Sequence, residues 1–195
     1  MGSPEKSEKA VLRGRFLARR RALSTVDRTT ADAALRAALA EVVSMLAKAG
    51  STVAAYAPMN GEPGGADLPD FLLGTGHSVL LPVFRADFDL DWIPFTGALT
   101  AGALRGLREP VGEGTREAVG EAALVIVPAL AVGADGTRLG RGGGSYDRAL
   151  ARVEPSVPVI ALIDDGEFVD TVPGEEHDRS VTGIITPGTG YVALE

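Results

Sequence analysis

The residue types most suited to chemistry in this 195-residue chain are gathered in one glycine-rich stretch. Four glycines, at positions 140, 142, 143 and 144, lie among Arg138, Arg141 and Arg148. Glycine lets backbone N–H groups approach a ligand closely, and a guanidinium group binds two oxygens of an anion at once. The stretch therefore predicts a phosphate-binding loop. A flexible surface turn is the alternative, but turn chemistry leaves the arginine spacing unexplained.

The order of residues in this loop excludes two common phosphate-binding motifs. A Walker A motif needs a lysine, and the last lysine of the chain is Lys48. In a dinucleotide fingerprint the third glycine would fall on Ser145 or Asp147. What remains is a strand, a nest of glycine amides and arginines, and a helix whose N-terminus near Ser145 favours an anion. Asp147 is either a magnesium ligand or a first-turn acid that complements the helix dipole.

The composition limits the kinds of chemistry and partner. The chain has no cysteine, which excludes disulfides, thiolate nucleophiles and thiolate metal sites. Its formal net charge of -7 argues against nucleic-acid binding, although an RNA contact through arginines 13, 15, 19, 20 and 21 is a weaker alternative. The longest apolar run, Ala122 to Val132, is too short to span a bilayer, and the charged N-terminus does not resemble a secretory signal. We therefore expect a cytoplasmic protein that binds no membrane.

Two long helices are predicted to open the chain. The first runs from about Glu5 to Leu23, with a moderate apolar stripe and a strongly cationic face that includes Arg19 and Arg20. A capping start from Ser24 to Asp27 begins the second, which extends to about Ala49 and stops at Gly50. Shorter helices are predicted from Asp67, as the cap, to Leu73 and from Ser145 to Val153.

Apolar runs between these helices predict a central sheet. The expected strands are Thr52 to Ala57, Ser78 to Val83, Leu90 to Phe95, Ala122 to Val127, Val157 to Ile163 and, last, Gly183 to Thr186. The glycine-rich segment from Thr96 to Gly120 is expected to be a long loop with short helical turns. Strands interleaved with helices indicate one domain over residues 1–195, a three-layer α/β/α sandwich with a mostly parallel central sheet.

Several segments, in order along the chain, resemble the 5-formyltetrahydrofolate cyclo-ligase family, also called methenyltetrahydrofolate synthetases. The stretch from Arg138 to Arg148 is the specific one. Weaker matches are Lys9 to Arg13, Tyr56 to Glu62, Leu107 to Pro110 and Pro173 to Asp178, so that the series spans residues 9 to 187. The chain departs from the family pattern at Ser145, where an aromatic ring is usual, and at Thr182, where the family commonly has an aspartate.

The resemblance implies a NagB/RpiA-like version of the sandwich and an enzyme that requires ATP and magnesium. Its reaction converts 5-formyltetrahydrofolate and ATP into 5,10-methenyltetrahydrofolate, ADP and phosphate. The formyl oxygen is a poor leaving group, so phosphoryl transfer activates it before N10 closes the ring. Such a protein needs to position its substrates and stabilise charge rather than supply a nucleophile. We expect it to act as a monomer.

The resemblance also assigns residues to this reaction. Arg138 and Arg141 are expected to be catalytic, because they neutralise charge on the moving phosphoryl group. The expected ATP contacts are Lys9, Arg13, Arg138, Leu139, Gly140, Arg141, Gly142, Gly143, Gly144, Ser145 and Tyr146. The expected folate contacts are Met59, Glu62 and Tyr146, and the expected magnesium ligands are Asp147 and Asp178.

Two alternatives remain open at this point. A divergent relative would bind ATP but act on another small molecule, and the substitutions at Ser145 and Thr182 motivate that hypothesis. A regulatory module would bind a nucleotide without turning it over. Trp92, the single tryptophan, is expected in the core, and His177 is expected to orient the loop that bears Asp178.

Overall fold

The structure is a computed structural model that describes residues 4–59, 61–174 and 178–194. Its helices are α1 (Pro4–Ala22), α2 (Thr25–Leu46), α3 (Leu68–Gly74) and α4 (Ser145–Leu150), with a 3-10 helix at Glu117–Glu121. Its strands are β1 (Thr52–Ala54), β2 (Ser78–Phe84), β3 (Leu90–Pro94), β4 (Leu99–Ala101), β5 (Arg108–Pro110), β6 (Leu124–Pro128), β7 (Ala131–Gly133), β8 (Arg138–Leu139), β9 (Val159–Leu162), β10 (Phe168–Val169), β11 (Gly183–Thr186) and β12 (Gly190–Ala193).

Seven of these strands form the central sheet, in the order β12-β11-β9-β6-β1-β2-β3. The five inner strands run parallel, and most of their residues are buried, as expected when helices cover both faces of a sheet. The two edge strands are antiparallel because short turns join β2 to β3 and β11 to β12. The prediction of an α/β fold with a mostly parallel central sheet is confirmed.

Side chains on opposite faces of the sheet belong to two separate cores. On one face, α2 and α3 pack Leu35, Leu39 and Leu72 against inward-facing residues of the central strands. On the other face, the 3-10 helix and α4 contribute Val119 and Leu150 to a core that contains Trp92, which is fully buried as predicted. Helices therefore cover the sheet on both sides, and α4 lies on the face opposite α2.

A third, smaller core attaches α1 to the rest of the molecule. Phe16 of α1 packs on Leu130, Leu139 and Val172 beside a three-stranded sheet of order β10-β7-β8. In this small sheet β7 and β8 form an antiparallel pair, and β8 leads directly into the glycine loop before α4. The small sheet therefore places the loop next to α1.

Several predicted boundaries are wrong for local reasons. The second helix ends at Leu46, because Ala47 takes an extended conformation; Gly50 lies in the following turn with φ +76°. Its start is confirmed, since the Ser24 hydroxyl accepts a hydrogen bond from the Asp27 N–H. Asp67 precedes α3 but does not cap it, because its carboxylate pairs with Arg36. The helix predicted from 145 to 153 ends at Leu150.

The predicted strand set is incomplete. The segment from 96 to 120 contains the β4–β5 hairpin, and the predicted loop after β6 contains β7 and β8. Strand β11 is not the last, because β12 returns beside it. Short strands of two or three residues carry too little periodicity to be recognised from sequence. No helix in the described part of the chain is long and apolar enough to cross a membrane.

Candidate active site

A cavity of about 620 Å³ opens at the carboxyl ends of the central strands. Tyr56 and Ala57, which come after β1, line this cavity. Pro128 at the end of β6 and the next two residues, Ala129 and Leu130, line it as well. Ligands of open α/β sheets bind at this edge, where the loops after neighbouring parallel strands diverge. The volume lies within the range usual for small-molecule sites.

Every residue assigned to the site from the sequence lines this one cavity. They are Lys9, Arg13, Met59, Glu62, Arg138, Leu139, Gly140, Arg141, Gly142, Gly143, Gly144, Ser145, Tyr146, Asp147 and Asp178. They come from α1, from the loop after β1, from the glycine loop with α4, and from the segment before β11. The structure thus brings together segments that are far apart in sequence. His177 lies outside the described residues.

The glycine loop turns sharply between β8 and α4. Gly142 and Gly144 have φ of +103° and +67°, a region that only glycine adopts readily. A side chain at Gly142 would also lie 3.3 Å from the Arg13 guanidinium carbon. The backbone conformation therefore favours glycine at position 142, and the approach of Arg13 leaves little room for a side chain there.

Two cations of α1 reach the cavity on the same side of the helix. The Lys9 ammonium lies 2.9 Å from the Asp178 carboxylate, and both side chains are largely buried. The Arg13 Nε donates a 2.9 Å hydrogen bond to the Gly140 carbonyl. Their spacing of four residues places them on one helix face, as the sequence predicted.

Arg138 and Asp147 form an ion pair that the sequence did not reveal. One guanidinium nitrogen of Arg138 lies 3.0 Å from Asp147 Oδ1, which also accepts a hydrogen bond from the Arg179 N–H. The Arg138 guanidinium carbon lies 5.5 Å from the centre of the Tyr146 ring, a cation–π contact. Its Nε is buried without a hydrogen-bond partner among the described residues. Arg138 is therefore held against Asp147 and the Tyr146 ring.

Arg141 is bound to Glu62 across the cavity. Its Nε donates a 2.9 Å hydrogen bond to Glu62 Oε1, while Glu62 Oε2 accepts one of 2.8 Å from the Met59 N–H. Glu62 is 9% exposed, whereas the Arg141 side chain is 45% exposed. A residue expected at the phosphates therefore contacts a residue expected at the folate.

At the start of α4, Ser145 is buried and its neighbour Tyr146 is half-buried. Burial raises the pKa of Tyr146 well above its ordinary value, with nearby Glu62 acting in the same direction and Arg138 opposing it. The phenol is therefore neutral across the physiological range, and its ring meets Trp92 edge-on. The Ser145 hydroxyl is buried and has no hydrogen-bond partner among the described residues. Thr182 does not line the cavity; its hydroxyl binds the backbone of Val159.

The sequence did not reveal the apolar wall of the cavity. Its members are Pro82, Phe84, Phe88, Leu90, Leu104 and Leu107. Phe84, the last residue of β2, meets Phe88 edge-on, and Phe88 in the turn before β3 has φ of +63°, unusual for a bulky residue. Two phenylalanines close together at the end of a strand were the available signal. Arg148, which donates to the Phe88 and Gly143 carbonyls, links this wall to the glycine loop.

Arg20 is a further lining residue that was not assigned to the site from the sequence, which placed it on the cationic face of the first helix. Arg20 is only 3% exposed and pairs with Glu167 at 2.6 Å. Apolar periodicity could not identify it, because a buried arginine interrupts the stripe it belongs to.

Asp147 and Asp178 are the two carboxylates that the sequence predicted as ligands for magnesium. Magnesium commonly binds one or two carboxylates and completes its octahedron with water and phosphate oxygens. Asp147 and Asp178 line the same cavity, and no hydrogen bond reaches Asp147 Oδ2 within the described residues. No group of three potential protein ligands occurs there. Two carboxylates in one cavity are nevertheless the donor type that magnesium binds together with phosphate and water oxygens.

Comparisons with known proteins agree with one another. Residues 5–187 match the model of the 5-formyltetrahydrofolate cyclo-ligase family. The chain is 42% identical over 192 residues to a 5-formyltetrahydrofolate cyclo-ligase from Mycolicibacterium smegmatis, covering 95% of this chain and 97% of that protein.

Two solved structures of 5,10-methenyltetrahydrofolate synthetases are similar in fold. The Aquifex aeolicus protein has a TM-score of 0.74 at 26% identity, covering 96% of this chain and 93% of the other. The Mycoplasma pneumoniae protein has a TM-score of 0.69 at 21% identity, covering 90% and 96% respectively; at that identity the likeness concerns the fold alone.

Proposed function

The chain belongs to the 5-formyltetrahydrofolate cyclo-ligase family, and we propose that it converts 5-formyltetrahydrofolate into 5,10-methenyltetrahydrofolate with consumption of ATP and release of ADP and phosphate. One observation carries the proposal. A single cavity contains both an arginine-lined glycine loop, suited to phosphates, and an apolar wall with two phenylalanines, suited to a flat ring system. Both reactants of such a ligation must meet in one site.

In this proposal ATP binds along the glycine loop. The backbone amides from Gly140 to Gly144 hold phosphate oxygens, and Lys9 and Arg13 add positive charge from α1. Arg13 already lies against the loop, bonded to the Gly140 carbonyl. Leu139, Ser145 and Tyr146 complete the nucleotide contacts. The Ser145 hydroxyl, which has no hydrogen-bond partner in the described part of the chain, is a donor that a phosphate oxygen would satisfy.

Folate binds at the other end, against Met59, Glu62 and Tyr146. The pterin ring presents adjacent N–H donors, and a carboxylate such as Glu62 accepts two of them. Because Glu62 is bonded to Arg141 in this structure, the pterin takes the place of that guanidinium. Arg141 is then released toward the phosphates. Folate binding would thereby place the positive charge of Arg141 near the phosphoryl group that is transferred.

The residues act by positioning and by charge stabilisation. The formyl oxygen attacks the γ-phosphorus and the bond from that phosphorus to ADP breaks. N10 then attacks the activated formyl carbon and loses its proton, and the bond from this carbon to the phosphorylated oxygen breaks, so that phosphate leaves with that proton. Arg138 and Arg141 neutralise charge on the equatorial oxygens in the first step. No protein nucleophile is required, in keeping with the absence of cysteine from the sequence.

The proposed magnesium ligands are Asp147 and Asp178. When bound with the nucleotide, the ion would neutralise phosphate charge. Asp147 has an oxygen free of hydrogen bonds within the described residues, and Asp178 lies beside Lys9, which the proposal places at the phosphates.

The proposal is tested with purified protein, ATP, magnesium and 5-formyltetrahydrofolate. We expect the absorbance of the methenyl product to rise in proportion to ADP released, and no product to form without ATP. A protein that binds ATP and yields no methenyl product would instead favour the divergent relative or the regulatory module. A protein that yields product without ATP would contradict the phosphoryl-transfer route.

The metal assignment is tested by Asp147→Asn. The amide keeps the shape and one acceptor oxygen but removes the charge, so the magnesium concentration for half-maximal rate should rise about tenfold. The matched control is Asp135→Asn. Asp135 is an exposed aspartate that binds Thr137 in a turn and does not line the cavity. An unchanged magnesium requirement in Asp147→Asn, with the fold intact, would refute the metal role.

A further inference from the structure

Helix α1 docks on the molecule with one apolar anchor and three polar ones. Among its described side chains only Phe16 is a buried hydrophobic residue. Lys9, Arg13, Phe16 and Arg20 are spaced by four, three and four residues, so they share one face of the helix. Lys9 contacts Asp178 and Arg13 contacts Gly140, whereas Arg20, which also lines the cavity, lies in the last turn of the helix. The orientation of α1 therefore depends strongly on where Arg20 is held.

Arg20 is held by two neighbouring strands at once. Its Nε and one terminal nitrogen donate to the two carboxylate oxygens of Glu167, at 2.8 and 2.6 Å. The same terminal nitrogen donates to the Ala129 carbonyl at 2.6 Å. Ala129 directly follows β6, and Glu167 lies in the turn after β9. Arg20 is 3% exposed and Glu167 is fully buried, so solvent does not compete for these bonds.

Glu167 is itself fixed to the strand that leads to the glycine loop. Its Oε2 accepts a 2.8 Å hydrogen bond from the Asp164 N–H, and its backbone carbonyl accepts one of 2.9 Å from the Val132 N–H. Val132 belongs to β7, which pairs with β8 immediately before Gly140. The same carboxylate residue therefore connects the end of α1 with the strand pair that carries the loop.

We propose that Arg20 and Glu167 are positioning residues for nucleotide binding, setting the angle and register of α1 so that Lys9 and Arg13 face the glycine loop. The inference rests on the proposed role of Lys9 and Arg13 at ATP. Arg20 follows Lys9 by 11 residues, about 16 Å along the helix axis. Phe16 lies between Lys9 and Arg20 and packs against the molecule. A displacement of the helix at Arg20 would therefore rotate it about Phe16 and move Lys9 in the opposite direction. Although Arg20 lines the cavity, its guanidinium is bonded to Glu167 and Ala129, so we infer that it acts through the helix.

Directional bonds explain why a charged pair occupies this place. A buried ion pair is often no more stabilising than apolar residues of similar volume, but it fixes one geometry. Three hydrogen bonds from one planar guanidinium define the position of the helix end, whereas an apolar contact would let it slide. The pair therefore serves placement more than stability.

The test uses two variants of the full-length protein. Glu167→Gln keeps the shape but removes the charge, and Arg20→Lys keeps the charge but loses the bidentate geometry and the separate bond to Ala129. In both we expect the KM for ATP to rise about tenfold, with kcat and the KM for 5-formyltetrahydrofolate changed less than about twofold. Calorimetric titration of ATP should give the same loss of affinity. If Glu167→Gln fails to fold, the Arg20→Lys variant alone provides the test.

The control for lost stability is Val42→Ala. Val42 is buried in α2 on the face of the sheet opposite α4 and does not line the cavity. This variant should lower the melting temperature while leaving both KM values unchanged. An unchanged KM for ATP in Arg20→Lys would overturn the positioning role, as would a rise in both KM values together. Wild-type protein that forms no product would overturn the proposed function instead, and wild-type protein that binds no ATP would overturn both.

Discussion

At the scale of single residues, the site consists of cations whose partners are already present in the protein. Arg138 is bound to Asp147, Arg141 to Glu62 and Lys9 to Asp178. The sequence identified all six residues as site residues, because each stood in a recognisable motif. It did not predict the pairs, since Arg141 and Glu62 are 79 positions apart and nothing local encodes their contact. Pairing belongs to the tertiary structure.

The Arg141→Ala variant tests whether that arginine acts on the phosphoryl group. Loss of a charge that stabilises the transition state should lower kcat/KM by about 100-fold. Because the Arg141 side chain is 45% exposed, the unfolding free energy should change by less than about 1 kcal/mol. Arg85→Ala is the matched control: Arg85 is 44% exposed, pairs with Asp91 and does not line the cavity. Equal activity of the two variants would contradict the catalytic role.

Buried tyrosines should make the protein sensitive to alkali. Folding raises the pKa of Tyr146 and of Tyr56 above the ordinary value of 10.0, chiefly through burial. The stability that the two neutral phenols contribute is fully present below about pH 10, where the tyrosines of the unfolded chain are also protonated. It is lost as the pH rises further, because only the unfolded chain then releases the phenolic protons. Urea unfolding at increasing pH should therefore give a free energy that falls by about 1.4 kcal/mol per pH unit for each tyrosine. Tyr146→Phe should roughly halve that slope, and an unchanged slope would contradict the assignment.

At the scale of elements, long periodic segments were predicted well and short ones were not. The 22 residues of α2 and the buried run of β6 carry strong patterns, and both were recognised. Strands β8 and β10, with two residues each, depend on tertiary pairing with β7 and have no pattern of their own. The prediction that Asp67 caps α3 was wrong for a similar reason, because Arg36 from another helix binds the Asp67 carboxylate.

The glycine loop permits a comparison of two neighbouring glycines. Gly142 has φ of +103°, so Gly142→Ala should cost about 1–2 kcal/mol, equivalent to roughly 2–8 °C in melting temperature. Gly143 does not have a positive φ, and a side chain there would approach nothing closer than 3.4 Å. Gly143→Ala should therefore melt close to wild type in the absence of ligand. Thermal unfolding that is equally affected in both variants would contradict the conformational requirement at Gly142.

At the scale of the whole molecule, the cavity joins parts that otherwise contact one another little. Helix α1 and its small core border it on one side, and the β2–β3 turn and the β4–β5 hairpin border it on the other. Sequence periodicity predicted the central sheet but not its strand order or its hairpin edges, because register and neighbours are set by packing. The apolar wall of the site was missed together with those hairpins.

A ligand that bridges these parts should stabilise the protein strongly. At an ATP concentration of 100 times its Kd, mass action alone adds about 2.7 kcal/mol, which is roughly 5–10 °C for a domain of this size. The measurement is a thermal melt with increasing ATP and magnesium. The same melt with Arg141→Ala or Lys9→Ala should show a smaller shift at equal ATP. A melting temperature independent of ATP would contradict nucleotide binding in the cavity.

The contact between Lys9 and Asp178 has a consequence for how the enzyme is made. The two residues are 169 positions apart. A ribosome adds about 5–20 residues per second, so Lys9 emerges roughly 10–30 s before the aspartate it will bind. Through most of synthesis the carboxylate that Lys9 binds is therefore not yet made. A chain terminated before position 178, even one that retains the glycine loop, would lack the Lys9–Asp178 ion pair.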